Sequence, residues 1–335
     1  MFIVKNRRIF YTFSIILIVF SLFSIFHWGL NFGIDFKGGS LVQVQYNTDP
    51  GAQAVTNRLN SLGLSDSTVR ETTNNGYIIR TRTLSDAERQ TLTAALLSTY
   101  SAPFSASSTA VAIASAASST SSPLQLTGTS SANISTSVGE ITQFDSVGPV
   151  LGQELQGKAI WSIILVMLAI VIFITFVFRK VSEPVASWKY GVVAIIALMH
   201  DIIIPTGIFA FIGRTGSYEI DALFVTAILV ILGFSVHDTI VVFDRTRENL
   251  RNQGNTAKKS FEQIVGESVS QTIARSINTS LTTVLALIVL FVIGPDSTHD
   301  FALALIIGII TGTYSSIFIG SPLLVTLEKW QSKKK

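Results

Sequence analysis

The sequence predicts a polytopic α-helical membrane protein with six transmembrane helices and one small α+β domain. Three observations support this fold class. Of the 335 residues, 48% are hydrophobic and only 13% are charged, whereas soluble proteins contain roughly 25% charged residues. Mean hydropathy is +0.51, and six apolar runs are each long enough to cross a bilayer as a helix. One long polar stretch, residues 31–158, carries strand-like and helix-like patterns instead.

The first apolar run, residues 9–30, predicts a retained transmembrane helix. Lys5, Arg7 and Arg8 precede it. A signal peptide has an apolar core of roughly 7–15 residues and a small-residue cleavage site. This run is longer and ends beside Trp28, an aromatic residue typical of membrane interfaces. We therefore expect residues 1–30 to form a cytoplasmic start and transmembrane helix 1.

Residues 31–158 predict an α+β domain of ferredoxin-like topology. Asn74-Asn75-Gly76 is a strong hairpin signal between two strand-like runs. Ser85 and Glu88 have the spacing of a capping box at the start of a helix. The predicted elements are, in order, strand 41–46, helix 52–62, strands 68–72 and 77–82, a helix opened by Ser85, and strand 140–146.

A tract within this domain, residues 101–137, is rich in Ser, Ala and Thr and has almost no charge. Its composition is typical of a flexible, low-complexity insertion. An extra hairpin packed on the domain is the alternative, and the sequence leaves both open.

Five further apolar runs predict transmembrane helices 2–6, so residues 159–335 form the rest of the membrane part and a cytoplasmic tail. These runs are 160–178, 190–212, 222–243, 276–293 and 301–327. Lys and Arg are concentrated at the start of the chain, after the second and fourth runs, and in the tail, whereas the loops 213–220 and 295–300 carry only Arg214. By the positive-inside tendency, both termini are cytoplasmic and the α+β domain is extracytoplasmic.

The composition also argues against several function classes. The chain has no cysteine, so disulfides and thiolate metal sites are excluded. A net charge of +3 without a basic, aromatic-rich stripe gives no sign of nucleic-acid binding. No phosphate-binding loop, nucleophile triad or zinc-type spacing occurs. We expect no enzyme activity, cofactor or metal, so an energy-using function would need an ion gradient or the ATPase of a partner.

Two carboxylates within apolar runs are the strongest candidate functional residues. Asp238 lies in the fourth run and Asp201 near the middle of the third. A charged residue inside a span is costly and is a functional-site hypothesis by default. Because removal from water penalises the ionised form, such a carboxylate suits the uptake and release of protons. Two alternatives remain: Asp238 as a boundary residue that reaches the cytoplasm, and Asp201 as a packing residue bonded to another helix.

Other polar residues of the spans are weaker candidates. Arg275, at the start of span five, could be a counter-charge for Asp238 or an ordinary basic flank. His200 and His237 each precede one of the Asp residues, but two histidines do not make a metal site. Hydroxyl residues of span five could bond across helices or line a water path, and the GxxxG spacing of Gly308 and Gly312 predicts close helix packing.

Five motifs, taken in order, give the chain a resemblance to a known family. Two of them flank the α+β domain: Asp35, Gly38 and Gly39 belong to the first, and Gly148 and Pro149 to the second. The others are His200-Asp201, then Asp238-Thr239 with Asp244, Arg245 and Arg247-Glu248-Asn249, and finally Gly312-Thr313-Tyr314-Ser315-Ser316. With these motifs the chain resembles the SecF side of the SecD/SecF family, in the resistance-nodulation-division superfamily.

The resemblance implies six transmembrane helices of the resistance-nodulation-division type and a role as an auxiliary subunit of the Sec protein translocase in the bacterial cytoplasmic membrane. It implies a SecD-like partner, the SecYEG channel, a YajC-like small subunit and secreted polypeptides, with an ion gradient driving late steps of export. The family's proton-path Asp and Arg correspond to Asp238 and Arg275, supported by Asp201. The family usually has Asn where this chain has His237, which leaves proton and sodium coupling both open.

Two other functions remain as alternatives. A half-size exporter of small molecules from the same superfamily would need a second copy or a partner to complete its pore, because such pumps usually have twelve spans. A non-transporting assembly scaffold for the translocon would make both Asp residues structural. Gentle purification and identification of what co-purifies would separate these possibilities.

Overall fold

The computed structural model describes residues 2–72, 74–98, 139–179, 187–215, 218–252 and 259–332. It divides into two compact units, a helical unit of Met1–Gly39 with Val147–Lys335 and a small unit of Ser40–Ser146. The flanking residues 31–39 and 147–158 thus belong with the helices. The predicted insertion 101–137 lies outside the described residues.

The small unit is a four-stranded sheet with two helices. Its elements are β1 (Gly39–Tyr46), α4 (Ala52–Ser61), β2 (Thr68–Thr72), β3 (Gly76–Thr81), α5 (Asp86–Leu97) and β4 (Gly139–Val147). The strand order is β2-β3-β1-β4, which confirms the ferredoxin-like prediction. Val42 pairs with Ile79, and Ile79 with Val69, so apolar side chains at every second position build one core face.

The two local signals read from the sequence of this unit are confirmed. Asn74 and Asn75 have φ values of 58° and 60°, the left-handed conformation that asparagine tolerates better than most residues, and the strands on either side pair antiparallel with Thr72 opposite Gly76. Ser85 Oγ accepts from Glu88 N, and Glu88 Oε2 accepts from Ser85 N at 2.9 Å. Each contact occupies a backbone donor that the first turn of α5 would otherwise leave unpaired.

The helical unit contains six helices that are long and apolar enough to span a membrane, among the described residues. Its helices are α1 (Phe2–Lys5), α2 (Arg7–Trp28), α3 (Ile34–Lys37), α6 (Pro149–Val177), α7 (Ser187–Gly213), α8 (Ala222–Arg251), α9 (Phe261–Ile293), α10 (His299–Ser315) and α11 (Ser321–Ser332). Helices α6 and α9 begin well before their predicted apolar runs. An apolar run shows only which residues can lie in the membrane, whereas the backbone hydrogen bonds of a helix can continue into polar sequence.

The last span is interrupted, which the sequence did not predict. Residues Ser316–Gly320 form a π-helical turn between α10 and α11, and Ser321 N donates to Ser316 O, five residues back. Pro322 follows directly. Because proline lacks an N–H and its ring collides with the carbonyl four residues earlier, the helix widens at this point instead of continuing in α geometry.

Close packing at the GxxxG glycines is confirmed. A Cβ on Gly308 would lie 2.0 Å from Ile231 Cδ1, and a Cβ on Gly312 would lie 3.1 Å from Ser235 Cβ. Helices α8 and α10 therefore approach each other through these two positions, which places the polar residues of both helices in direct contact.

Replacing Gly308 with Ala should destabilise the membrane unit by about 1–3 kcal/mol, because the new methyl overlaps the buried Ile231 side chain. The measurement is thermal unfolding of the purified chain in detergent. Gly233→Ala is the matched control, since nothing lies within 4 Å of a Cβ there. Equal melting temperatures for the two variants would contradict the packing argument.

Candidate functional site

Asp201 is the centre of a buried hydrogen-bond network that joins three helices. It is 0% exposed. Its Oδ2 accepts from Ser315 Oγ of α10 at 2.8 Å and from Ser235 Oγ of α8. Its Oδ1 lies 3.0 Å from Nδ1 of the buried His200. Two serine hydroxyls, and the His200 ring in the tautomer that carries its proton on Nδ1, offset the desolvation of this buried carboxylate. Asp201 therefore anchors α7, α8 and α10 to one another.

Asp238 lies one turn below Ser235 on α8 and has a different environment. It is 2% exposed, and the hydroxyls of Ser276 on α9 and Thr313 on α10 face its carboxyl group. Among the described residues, Asp238 Oδ2 and Ser276 Oγ have no hydrogen-bond partner. Helices α9 and α10 therefore enclose the Asp238 side chain, which argues against the boundary interpretation.

The contrast between the two carboxylates determines what each can do chemically. A proton on Asp201 Oδ2 would displace a serine hydroxyl donor, whereas a proton on Asp238 Oδ2 would displace no donor among the described residues. Burial penalises an ionised carboxylate that lacks donors. Asp238 is therefore the better placed of the two to change its protonation state.

His237 points away from the bundle interior. Its side chain is 63% exposed, and Nδ1 lies 3.9 Å from Asp238 Oδ1, beyond hydrogen-bonding distance. The ring nevertheless stands close enough to add positive charge beside the carboxylate when it is protonated. His237 therefore lies on the outer surface of α8, next to the enclosed Asp238.

Arg275 does not pair with Asp238 within the described residues. It precedes Ser276, which is buried against Asp238, and neighbouring residues of a helix point about 100° apart. The Arg275 side chain is exposed and forms no ion pair among the described residues. The structure therefore does not place Arg275 beside Asp238 as the counter-charge that the sequence suggested.

An exposed polar stripe extends along the apolar helix α9. Asn278, Thr279 and Thr282 follow Arg275 by three, four and seven residues, on the same face of the helix, and all four are exposed. We call these four residues the α9 stripe. Polar and charged side chains within a span rarely face lipid, so this face of the helix is suited to contact with another protein or with water.

The remaining motif residues of α8 brace its C-terminal end against α9. Arg245 Nε donates to Gln271 Oε1 at 2.6 Å, and Asn249 Nδ2 donates to Gln271 Oε1 at 3.0 Å and to Ser268 Oγ at 2.9 Å. Asp244 is exposed and Arg247 is half-buried. These contacts hold α8 and α9 in fixed register, and with them Asp238 opposite Ser276.

The N-terminal end of α8 is held by carboxylates from two chain segments. Asp221 Oδ1 accepts from Phe224 N at 2.7 Å, and Asp35 Oδ2 accepts from Ala222 N at 2.9 Å. Asp300 Oδ2 accepts from Glu219 N at 3.3 Å nearby. Burial, with the charges of Asp35 and Asp300, raises the pKa of Asp221 to about 6.

The glycine motifs permit close backbone contact between α3 and α6. Gly38 has a φ of 77°, and a Cβ there would lie 2.8 Å from Pro149 Cα. A Cβ on Gly152 would lie 2.9 Å from Phe36 O. Gly148 caps α6, and Pro149 occupies its first turn, where a missing N–H costs nothing. The segments entering and leaving the α+β unit therefore lie side by side.

Sequence reasoning missed the partners of both carboxylates. Ser235 was not singled out, whereas Ser276 stands in the hydroxyl-rich span, and Thr313 and Ser315 in the last motif, without an assigned contact. A small hydroxyl within an apolar run is the one signal that could have found the serines. Among the described residues, no group of three or more His, Cys, Asp or Glu could hold a metal ion.

Comparison with known proteins agrees with this architecture. The model of the protein export membrane protein SecD/SecF C-terminal family matches residues 128–330, and that of the SecD/SecF GG motif matches residues 23–50. The protein translocase subunit SecF of Thermobaculum terrenum is 39% identical over 99% of this chain and 94% of its own length. SecF of Anaerolinea thermophila is 34% identical over 98% of this chain and 96% of its own.

A solved structure shares the fold. The crystal structure of SecDF, a translocon-associated membrane protein from Thermus thermophilus, superposes with a TM-score of 0.74 at 25% identity. The match covers 98% of this chain and 38% of that one, so the chain corresponds to a minor part of the longer protein. By sequence and by structure, the chain belongs to the SecF family of protein translocase subunits, within the SecD/SecF group of export membrane proteins.

Proposed function

We propose that this auxiliary subunit of the Sec translocase uses an ion gradient to drive late steps of polypeptide export, with Asp238 as the proton-accepting group. The observation that carries the proposal is the enclosed Asp238 carboxyl group, whose Oδ2 has no donor among the described residues. A group of this kind changes its interactions with α9 and α10 when it gains or loses a proton, which is how a local charge change biases packed helices.

The proposed orientation places the chain in the bacterial cytoplasmic membrane with both termini in the cytoplasm. Arg7 and Lys329 both contact Glu262, Arg7 at 3.1 Å, so the start of α2, the start of α9 and the end of α11 meet at one basic face. Positive charge favours the cytoplasmic side. The α+β unit, which joins α3 to α6, is then extracytoplasmic.

A SecD-like subunit is the proposed partner of the α9 stripe. Arg275, Asn278, Thr279 and Thr282 are exposed on a helix that is apolar enough to span a membrane. The two threonine hydroxyls donate to carbonyls of α9 itself, so Arg275 and Asn278 are the side chains for which lipid offers no hydrogen-bond partner. The chain also corresponds to only 38% of the SecDF protein that shares its fold, which leaves room for a second half. The SecYEG channel, a YajC-like subunit and secreted polypeptides complete the proposed set of partners.

Arg275→Met should reduce gradient-dependent stimulation of export strongly, while the protein level stays the same, because the change removes a charge from the partner-facing stripe and barely alters helix packing. The measurement is export of a secretory reporter with and without the gradient. Arg251→Met, at the exposed end of α8, is the control and should behave like the unmodified chain.

A scaffold function without ion coupling makes a different prediction. It requires Asp238 and Arg275 to act only in folding or assembly, so variants at both positions would lose co-purification with the SecD-like subunit. The ion-coupled function requires assembly to survive while the stimulation is lost. Replacing the proton gradient with a sodium gradient in the same assay identifies the coupling ion, which His237 leaves open.

A further inference from the structure

Four hydrogen bonds hold residues 31–37 against the first residue of α8 and the residues just before it. Gly33 N donates to Ile220 O at 2.9 Å and Ile220 N to Asn31 O at 2.8 Å, which makes a short parallel bridge between Phe32 and Ile220. Asn31 Nδ2 donates to Tyr218 O at 2.9 Å. Ala222 N donates to Asp35 Oδ2 at 2.9 Å. We call residues 31–37 the connecting segment, since β1 begins two residues later.

The Asp35 contact differs from an ordinary helix cap. Asp221, directly before α8, already caps the helix from its own chain segment. Asp35 is 187 residues away in sequence from the N–H that it accepts. An anion at a helix N-terminus is stabilised by the unpaired N–H groups and by the helix dipole. Asp35 therefore ties a distant segment to α8 rather than only completing the helix.

The same segment is packed against α6 on its other side. Phe36 is buried, and its ring meets that of Phe32 at 5.9 Å in an edge-to-face arrangement. The Phe36 carbonyl oxygen lies 2.9 Å from the position that a Cβ on Gly152 of α6 would take. Because the connecting segment is closely packed, it cannot move independently of its neighbours, and a displacement of one neighbour is passed on through it.

We infer that Asp35 is a positioning residue that latches the connecting segment to α8, so that a shift of α8 is passed to the segment from which β1 begins. Asp238 lies about 24 Å along the same helix, from the rise per residue, and a continuous helix moves as one body over that length. This inference rests on the proposed function, because it supplies the route by which a charge change at Asp238 reaches the α+β unit.

The test separates ion movement from export. The chain is reconstituted with its SecD-like partner and the channel, and ion uptake in the absence of export substrate and gradient-dependent export are both measured. Asp35→Ala should keep ion uptake within about twofold and lose most of the export stimulation. Asp35→Asn, which retains an oxygen acceptor for Ala222 N, should keep at least half of that stimulation.

Asp221→Ala is the matched control, since it removes a carboxylate from the same helix end without freeing the connecting segment. It should keep the stimulation. If it loses as much as Asp35→Ala does, helix capping explains the effect and the latch is overturned. Loss of ion uptake together with export in Asp35→Ala would also overturn it, because that pattern indicates a general structural defect.

A chemical replacement of the latch gives a second test. The chain has no cysteine, and Phe32 and Ile220 are bridge neighbours, a separation that a disulfide can span. Phe32→Cys with Ile220→Cys in the Asp35→Ala chain should restore the stimulation when oxidised and lose it when reduced. A formed disulfide without restoration contradicts the latch. If Asp238→Asn itself leaves stimulation intact, the proposed function fails, independently of the latch.

Discussion

Replacing Asp238 with Asn should abolish gradient-dependent stimulation of export while leaving the amount of protein in the membrane unchanged. Asn is nearly isosteric and faces the same hydroxyls of Ser276 and Thr313, so the packing of α8 against α9 and α10 should survive. Only the ability to gain and lose a proton is removed. The measurement is reporter export at a fixed ATP concentration, with the gradient present and then collapsed.

The control for this variant is Asp66→Asn, which makes the same chemical change at an exposed carboxylate of the α+β unit. It should retain full stimulation. Export by the Asp238→Asn chain should be the same with and without the gradient, at the level that the unmodified chain shows once the gradient is collapsed. Stimulation of normal size in that variant would rule out Asp238 as the coupling group.

Replacing Asp201 with Ala should destabilise the membrane unit by about 2–4 kcal/mol, because it leaves the buried His200 and Ser235 without their acceptor. Ser315 keeps a second acceptor at Gly312 O and should lose less. The unfolding midpoint in detergent, compared with that of the unmodified chain, measures the loss. Membrane-embedded hydrogen bonds are often worth under 1 kcal/mol each, so a cost near that value would mean that the network relaxes.

Asp201→Asn distinguishes an anchor from a proton carrier. The amide oxygen can still accept from one serine, so an anchor should keep most of the stability and a large part of the stimulation. A residue that carries protons would lose its stimulation as completely as Asp238→Asn. Measuring both variants in one assay therefore assigns the two carboxylates separately.

Much of the architecture follows from local patterns. Apolar runs identify the six spans because lipid requires about twenty apolar residues for each helix, and the strand order of the α+β unit follows from its alternating periods, its Asn74-Asn75 turn and its Ser85 cap. Helix ends were less accurate, since α6 and α9 continue in polar sequence beyond the membrane-compatible runs.

The site was predicted in part. The position of Asp238 and Asp201 within apolar runs was enough to single them out, because an ionisable residue in a span is rare and costly. Nothing local distinguishes one from the other: each follows a histidine in an apolar helix. Even the expected pairing of Arg275 with Asp238 does not occur within the described chain, because the turn of α9 directs Ser276 inward instead.

Composition and periodicity thus settled the membrane class, the number of spans and the fold of the α+β unit. The tertiary structure alone assigned different environments to the two carboxylates and attached Asp35 to α8. The reason is distance along the chain: Ser235 and Ser315 are 34 and 114 residues from Asp201, and Ala222 is 187 residues from Asp35. Which donors meet a buried carboxylate depends on how whole helices pack, and no local pattern records that.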